Sequence, residues 1–245
     1  MKLFHVTITG ADDGVEDPQE LLHLSEEFPF VEWGILFSAP KQGEDRYPSA
    51  NWLQKLIKVC DIAQETHGKA PNLSAHLCGV YAKNVIYKNE VMLPSKHFKR
   101  VQLNLPQKDF HQVNLENLYS LSQSSYPDIE WLFQYRGEED DFKVEEISEF
   151  NFKHSLNEKR TFGVLYDISG GQGISPDAWV KPFPTVRTGY AGGLNPDNLE
   201  EQLNKLACVV DEKSVWIDLE TGARTDNKFN FNKVRRCLEI ASSWS

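Results

Sequence analysis

Two periods of apolar and polar residues alternate along the chain. Runs with a period of two residues, typical of β-strands, recur eight times, and runs with the period of a helix lie between several of them. Successive strands begin about 24 to 42 residues apart, which leaves room for a helix and two loops in each interval. The predicted strands are residues 3–10, 31–38, 73–78, 100–105, 129–136, 162–167, 186–191 and 215–219, and the predicted helices include 51–66, 114–123, 198–208 and 232–242.

The number of strand units favours one architecture. Eight of them indicate a closed parallel barrel rather than an open doubly wound sheet. The length of 245 residues matches the roughly 250 residues with which such a barrel folds as one domain. The predicted fold is therefore α/β, a single (β/α)8 TIM barrel over residues 1–245.

The excess of acidic over basic residues argues against two classes of binding partner. Asp and Glu total 36 against 26 Lys and Arg, and the net charge of -10 opposes binding to the phosphates of nucleic acids or to anionic membranes. We therefore expect neither as a partner, and no run approaches the roughly 18 apolar residues of a membrane span. Asp12 and Asp13 come before any long apolar run, which does not fit a signal peptide. The acidic run 138–149 is expected to be the solvated face of a helix.

The cysteines indicate a reducing compartment. None of the four belongs to a CxxC pair or to a His/Cys spacing typical of zinc. Three of them lie in helical patterns, where a small buried thiol is the simplest interpretation. We therefore expect a cytoplasmic protein without a metal site.

Strand alternation predicts which side chains enter the barrel. In strand one, Phe4, Val6 and Ile8 share the apolar face expected to pack on the helices, which leaves His5 and Thr7 on the inner face with Thr9. The same rule turns the following residues inward: Ser74, His76, Cys78, Gln102, Asn104, Gln134, Arg136, Leu165, Asp167 and Asp218.

Polar residues gather where these strands end. Any single one is as easily a loop cap as a functional group, but several on one rim indicate a site, because active sites of this fold lie at the carboxyl ends of the strands. The predicted rim contains Thr9, Ser38, Cys78, Asn104, Arg136, Asp167 and Asp218.

The segment at 188–199 has the features of an anion site. It reads TGYAGGLNPDNL, in which glycines let backbone amides approach a ligand and Asn195 precedes Pro196 as a helix N-cap. Thr221 and Gly222, after strand eight, would supply the other half of a phosphate site. The alternative is a glycine-rich turn that closes the barrel and binds nothing.

Two further loops carry candidate chemistry. Asp167 ends strand six in LYDISGGQG, and a carboxyl on a rigid strand suits general acid–base catalysis. The alternative is an aspartate that only accepts hydrogen bonds from loop amides. Gly171 in the same loop is a further candidate phosphate contact. Arg46, in FSAPKQGEDRYPS, is placed to bind a substrate carboxylate or phosphate with its guanidinium.

Five segments together resemble phosphoribosylanthranilate isomerase. AGGLNPDNL, LYDISGGQG, FSAPKQGEDRYPS, VQLN and WIDLETGAR are similar to that family's motifs and occur in its order. The resemblance implies a β/α barrel that catalyses, without a cofactor, an Amadori rearrangement in tryptophan biosynthesis. The reaction converts N-(5-phosphoribosyl)anthranilate, an aminoaldose, into the corresponding 1-deoxyribulose ketose.

The resemblance also implies roles for individual residues. Asp167 stands where the family has the general acid that opens the ribose ring, and Arg46 where an arginine engages the substrate. Gly192 and Gly193 stand where amides hold the phosphate. Asp218 and Gly222 match the aspartate and glycine that follow the family's last strand; with Asn104 and Arg136, Asp218 is an expected substrate contact.

One position departs from the family pattern. Thr9 stands where the family has a cysteine that acts as the general base on C2 of the sugar, and a threonine hydroxyl has far too high a pKa for that task. Strand four departs too, because Asn104 follows the leucine where the family usually has a histidine. Cys78 ranks first as a replacement base, if its surroundings favour a thiolate, and Asp12 second; His76 fits a barrel-core histidine better.

Three functions remain open from the sequence. The first is a phosphoribosylanthranilate-isomerase-like aldose–ketose isomerisation of a phosphoribosyl amine. The second is a diverged TIM-barrel enzyme that acts on another phosphorylated metabolite, and the third is a catalytically silent protein that binds a phosphorylated ligand. Each implies a phosphorylated small molecule as partner, and the oligomeric state is left open.

Overall fold

Eight parallel strands close into a barrel in the order β1 to β8, as a computed structural model of residues 1–124, 129–154, 162–167 and 173–245 shows. The predicted (β/α)8 TIM barrel is confirmed. The strands are β1 (Lys2–Thr9), β2 (Val31–Phe37), β3 (Asn72–Cys78), β4 (Phe98–Asn104), β5 (Glu130–Tyr135), β6 (Phe162–Tyr166), β7 (Arg187–Ala191) and β8 (Ser214–Leu219), followed by a short antiparallel pair, β9 (Arg224–Thr225) and β10 (Lys228–Phe229).

Helices connect the strands and pack on the outside of the barrel. The helical period of apolar residues predicted four of these helices to within two residues at each end. Capping residues fix the ends of one of them, Ala50–His67. The Ser49 hydroxyl accepts the Trp52 amide at 3.2 Å, and Gly68 ends the same helix with a φ of 69°. The helices are α1 (Gln19–Glu27), α2 (Ala50–His67), α3 (Val80–Lys88), α4 (Gln107–Phe110), α5 (Leu115–Ser124), α6 (Asp141–His154), α7 (Leu199–Val210) and α8 (Phe231–Ala241). Within the four described ranges, no helix is both long and apolar enough to cross a bilayer.

The lower part of the barrel interior is filled by one large side chain. The Trp216 indole packs with Leu132 and Leu165, and a Cβ added to Gly189 would lie only 2.0 Å from it. Gly163 is restricted less severely, because its Cβ would lie 2.8 Å from the end of the Leu132 side chain. These glycines let the indole occupy the axis, so the open space lies above it, at the carboxyl ends of the strands.

A register shift corrects the prediction for Phe4. The pairing of β1 with β8 shifts between Leu3 and His5, so that Phe4 is an extra residue. Its ring lies 5.8 Å from the Trp216 ring and packs against the apolar residues inside the barrel. The prediction that Phe4 faces the helices is therefore wrong, because strict alternation does not hold across a bulge.

The acidic run 138–149 is solvated only in part. Its five glutamates are exposed, but the Asp140 side chain is 0% exposed. Asp140 accepts hydrogen bonds from His111, Gln107 and the Arg136 backbone amide at 2.9 to 3.1 Å. The five glutamates thus form the expected solvated face, whereas Asp140, in the turn before α6, ties the loop after β5 to the barrel.

Candidate functional site

A cleft opens at the carboxyl ends of the strands and has two adjoining parts. The inner cleft lies over the barrel axis, and the outer cleft lies under the loop after β2; Asn104, Gln134 and Glu220 line both. The inner cleft is lined by His76, Gln102, Asn104, Gln134, Leu165, Asp167, Gly173, Ala191, Gly192, Gly193, Leu194, Asp218, Leu219, Glu220, Thr221 and Gly222. The outer cleft is lined by Leu36, Lys41, Glu44, Asp45, Arg46, Tyr47, Cys78, Asn104, Gln134, Arg136, Glu220 and Asn227.

A buried ionic layer lies inside the barrel below the inner cleft. Arg100 Nη1 lies 2.7 Å from Glu32 Oε1, and Arg100 Nε lies 2.9 Å from Glu130 Oε2. Thr7 donates to Glu32 at 2.8 Å, and Arg187 lies 3.3 Å from Glu130. Burial by itself would raise the pKa of Glu32, but Arg100 reverses this and holds the pKa below its usual value. The charged groups of this layer are therefore paired with one another inside the barrel.

His76 forms the floor of the inner cleft. Its side chain is 2% exposed, and burial lowers its pKa to about 4 despite the nearby carboxylate of Glu32. The imidazole is therefore neutral at physiological pH. This agrees with the interpretation of His76 as a barrel-core histidine that also meets the cleft.

Asp218 is a buried carboxyl that faces the inner cleft. Burial raises its pKa well above the usual value, and the negative charges of Glu220, Asp167 and Glu32 add to this. The Thr9 hydroxyl donates to its Oδ1 at 2.8 Å and opposes the shift. Its proton affinity is thus far higher than that of an ordinary aspartate.

Thr9 fits beside Asp218 because β2 has a glycine at this level. A Cβ on Gly34 would lie 2.2 Å from the Thr9 hydroxyl and 3.0 Å from the His76 ring. The Thr9 side chain is 1% exposed, so its hydroxyl is held between the strands. Thr9 therefore contacts a carboxyl of the cleft.

Asp167 lies at the end of β6 in the inner cleft, and Gln134 connects it to Arg136. Gln134 Nε2 lies 3.4 Å from Asp167 Oδ2, and Arg136 donates to Gln134 Oε1 at 2.6 Å. The Asp167 amide donates to the Tyr135 carbonyl at 3.0 Å, which fixes its backbone. Arg136 also donates to the Leu105 carbonyl at 2.6 Å, so it is anchored on the rim.

Cys78 is placed at the rim but not as a thiolate. Burial raises the pKa of its thiol, which outweighs the hydrogen bond that Asn104 Nδ2 donates to Sγ at 3.2 Å. Gln102 in turn donates to Asn104 Oδ1 at 2.8 Å. Cys78 lines the outer cleft, and its role as the replacement base stays a prediction.

Asp12 is engaged in structural contacts. Its Oδ2 accepts the Arg46 amide and lies 2.6 Å from Arg224 Nη2, while Oδ1 accepts the Gly14 amide at 2.9 Å. It is 4% exposed and lines neither cleft. Asp12 therefore anchors the loops after β1, β2 and β8, and its role as a base stays a prediction.

Arg46 lies in the wall of the outer cleft. Its φ of 74° is held by the bond from its amide to Asp12, and its Nη1 lies 2.7 Å from Glu220 Oε1. Its Nε donates to Asn227 at 3.0 Å. An anionic group bound here would meet Arg46 together with Lys41, since both line the outer cleft.

The loops after β7 and β8 pack together through glycines. A Cβ on Gly222, after β8, would lie 1.9 Å from the carbonyl oxygen of Leu194, after β7. A Cβ on Gly193 would lie 2.6 Å from the amide of Ser175, in the segment that follows β6. Two side-chain amides, those of Asn195 and Asn198, donate to the Gly193 carbonyl at 3.0 and 2.9 Å. The main chain therefore approaches the inner cleft closely and in a fixed orientation.

Amide groups in this turn are available to a ligand. Within the described part of the chain, the amides of Gly192 and Gly193 donate no hydrogen bond. α7 begins at Leu199 with Asn198 as its N-cap, so the predicted N-cap at Asn195 is wrong. Asn195 instead accepts the Asp197 amide at 2.9 Å in the turn before the helix. Gly171 lies outside the described residues.

Sequence reasoning missed three features of the site. Thr9 was interpreted only as the loss of a base, whereas it binds Asp218. Glu32 could have been noticed as a lone charge in the apolar strand VEWGILF. Glu220, which lines both clefts, carries no sequence signal beyond its place after β8.

Comparison with known proteins shows similarity at the level of the fold. No protein-family model and no curated protein matches the sequence. Phosphoribosylanthranilate isomerase from Thermotoga maritima has a TM-score of 0.55 at 13% identity, over 98% of this chain and 100% of that one. The isomerase from Pyrococcus furiosus has a TM-score of 0.51 at 13% identity, over 98% and 99% of the two chains.

Another barrel enzyme is similar to the same degree. Phospho-2-dehydro-3-deoxyheptonate aldolase from Thermotoga maritima has a TM-score of 0.52 at 10% identity, over 99% of this chain and 68% of that one. The chain is thus a TIM barrel like those of the isomerases, and other barrel enzymes have the same fold.

Proposed function

We propose that the protein catalyses the Amadori aldose–ketose isomerisation of a phosphoribosyl amine. The observation that carries the proposal is the inner cleft, where the Asp167 carboxyl and the amide-lined turn at Gly192 and Gly193 border the same space. The five ordered motifs and the likeness of the fold to phosphoribosylanthranilate isomerases support it.

The phosphate would bind in the turn formed by the loops after β7 and β8. The amides of Gly192 and Gly193 are its expected donors, with Thr221 and Gly222 from the other loop. Backbone amides at such a turn form an anion site without a charged side chain. This suits a protein whose net charge of -10 opposes anion binding at long range.

Asp167 would act as the acid of the first step. It donates a proton to the ring oxygen O4 as the C1–O4 bond breaks, and the nitrogen lone pair forms a C1=N iminium. C2 then loses its proton, C1 gains one, and the O2 proton leaves as the ketone forms. Arg46 and Lys41 would meet an anionic group of the aglycone in the outer cleft.

Turnover of N-(5-phosphoribosyl)anthranilate by the purified protein tests the proposal. We expect conversion to the ketose, and growth of a tryptophan auxotroph that lacks the isomerase. Asp167→Asn should reduce kcat by roughly 10²- to 10⁴-fold, because the variant cannot donate the proton. If the wild-type protein supports no growth and shows no turnover, the proposal is overturned.

A second candidate is a barrel enzyme that acts on another phosphorylated metabolite. It is favoured by Thr9, which cannot replace the family's cysteine by itself. A reduced, non-reacting analogue of the aminoketose phosphate separates the two candidates. The proposed isomerase should bind this analogue more tightly than inorganic phosphate, whereas equal affinity for both favours the second candidate.

A further inference from the structure

Thr9 and Asp218 form one unit across the seam between β1 and β8. The two strands are paired, and Thr7 lies opposite Asp218. In this register the Thr9 hydroxyl donates to Asp218 Oδ1 at 2.8 Å. Within the described residues, Oδ2 of Asp218 accepts no hydrogen bond, while the residue lines the inner cleft. One carboxyl oxygen is thus fixed by Thr9, and the other is available to a ligand.

Other titratable groups of the cleft are committed elsewhere. Glu220 is paired with Arg46 at 2.7 Å, and His76 is a weak base because burial lowers its pKa to about 4. Cys78 lies in the outer cleft, where Asn104 Nδ2 donates to its Sγ at 3.2 Å. Asp167 supplies the acid of the proposed reaction. Among the described residues of the inner cleft, Asp218 is the carboxyl left for a second proton transfer.

We propose that Asp218, in its ionised form, takes the proton from C2 of the sugar, and that Thr9 positions and stabilises this form by donating a hydrogen bond to its Oδ1. The inference rests on the proposed isomerase function. It assigns to β8 the base that the related family has on β1, and it explains how a threonine can stand in the cysteine position.

The proton transfers balance with these two carboxyls. Asp218 removes the C2 proton from the iminium; the C2–H electron pair forms the C1=C2 bond, and the C1=N pair returns to nitrogen. The protonated Asp218 then donates to C1 as O2 loses its proton and becomes the ketone oxygen. Asp167, which gave its proton to O4, recovers one from O2 by way of solvent.

Asp218→Asn tests the assignment on the purified protein with substrate deuterated at C2. In the wild type we expect a primary isotope effect on kcat. The variant should lose roughly 10²- to 10⁴-fold in kcat, because the amide cannot accept the proton. Binding of the reduced analogue should stay within about threefold, which shows an intact site. A variant that keeps wild-type kcat and isotope effect overturns the inference.

Thr9→Val provides a second test that does not depend on Asp218→Asn folding. The valine keeps the shape but removes the hydroxyl that stabilises the carboxylate, so the acid limb of the pH profile of kcat/KM should move to higher pH. The charged groups facing Asp218, which are Glu220, Asp167 and Glu32, remain in place. A Thr9→Val profile with the wild-type acid limb contradicts a positioning role for Thr9.

Thr188→Val is the matched control. Thr188 is also buried in a barrel strand, but its hydroxyl bonds the Val186 carbonyl and does not reach Asp218. Its acid limb should not move. Wild-type protein without turnover would overturn the proposed function and this inference with it; wild-type turnover that persists in Asp218→Asn overturns the inference alone.

Discussion

Asp218 combines a chemical role with a cost in stability. The folded protein raises its pKa because the carboxyl is buried among other acids. At neutral pH the unfolded chain ionises this group readily, whereas the folded protein resists ionisation. The unfolded state therefore gains from a rise in pH, and the folded state does not.

Asp218→Asn should therefore stabilise the protein at pH 7.5. For a carboxyl with a raised pKa, stability falls as pH rises from the ordinary value toward the raised one, and the amide removes this loss. We expect a higher urea midpoint for the variant at pH 7.5 and a smaller difference at pH 4. Asp197→Asn, which changes an exposed carboxyl, is the control. A variant less stable than the wild type at pH 7.5 would contradict the assignment of a raised pKa.

Gly222→Ala should damage the proposed phosphate site. Its Cβ would lie 1.9 Å from the Leu194 carbonyl oxygen, so the loops after β7 and β8 must separate. We expect binding of inorganic phosphate, measured by calorimetry, to weaken at least tenfold. Gly68→Ala serves as control, because Gly68 has a φ of 69° but open space around it, far from the cleft. Equal phosphate affinity in wild type and Gly222→Ala would argue against this site.

At the level of secondary structure, the ionic layer links strands that are apart in the sequence. Arg100 on β4 bridges Glu32 on β2 and Glu130 on β5, and Arg187 on β7 joins Glu130. The guanidinium of Arg100 also lies 4.3 Å from the Trp216 ring centre, on β8. Five strands thus depend on one buried cation.

Arg100→Met should therefore cost about 3 to 5 kcal/mol of unfolding free energy, because it leaves the buried Glu32 without its cationic partner and Glu130 with only the partly exposed Arg187. Urea unfolding at pH 7 measures the loss. Arg235→Met is the matched control: Arg235 pairs with Glu27 on the surface, and its removal should leave the unfolding midpoint almost unchanged. Equal midpoints for the two variants would show that the layer contributes little.

The same elements show how far the sequence leads. The alternation of apolar and polar residues located all eight strands to within two residues at each end. The pattern arises because successive residues of a barrel strand face the helices and the barrel interior in turn. The bulge at Phe4 escaped, since a bulge depends on the partner strand. Thr9 and Asp218 were each placed on the rim, but their bond spans 209 positions and follows from barrel closure, which no local pattern encodes.

For the molecule as a whole, the net charge of -10 acts on every anion that approaches. The proposed phosphate site relies on neutral amides, so its attraction is short in range, whereas the repulsion extends over about a Debye length. A phosphorylated ligand is therefore repelled by the net charge as it approaches, and it is attracted by the backbone amides only once it is close to them.

The association rate of the reduced aminoketose phosphate should consequently rise with salt. Between about 0.02 and 0.2 M sodium chloride the Debye length shortens from roughly 20 to 7 Å, which screens the repulsion. Stopped-flow measurements at both concentrations test this, with the dephosphorylated analogue as a control that should respond less. A rate that falls with salt would instead mean that Lys41, Arg46 and Arg136 steer the ligand to the outer cleft.

The seam between β1 and β8 has a consequence for biosynthesis. Thr9 meets Asp218 there, Asp12 meets Arg224, and Arg46 meets Glu220, so each contact joins the chain near β1 and β2 to β8 or to the segment after β8. A nascent chain on the ribosome therefore has no assembled site while β8 is still untranslated. A chain that terminates before β8 contains Thr9 but lacks Asp218, so it cannot form the pair. We therefore expect the proposed activity only once the barrel is complete.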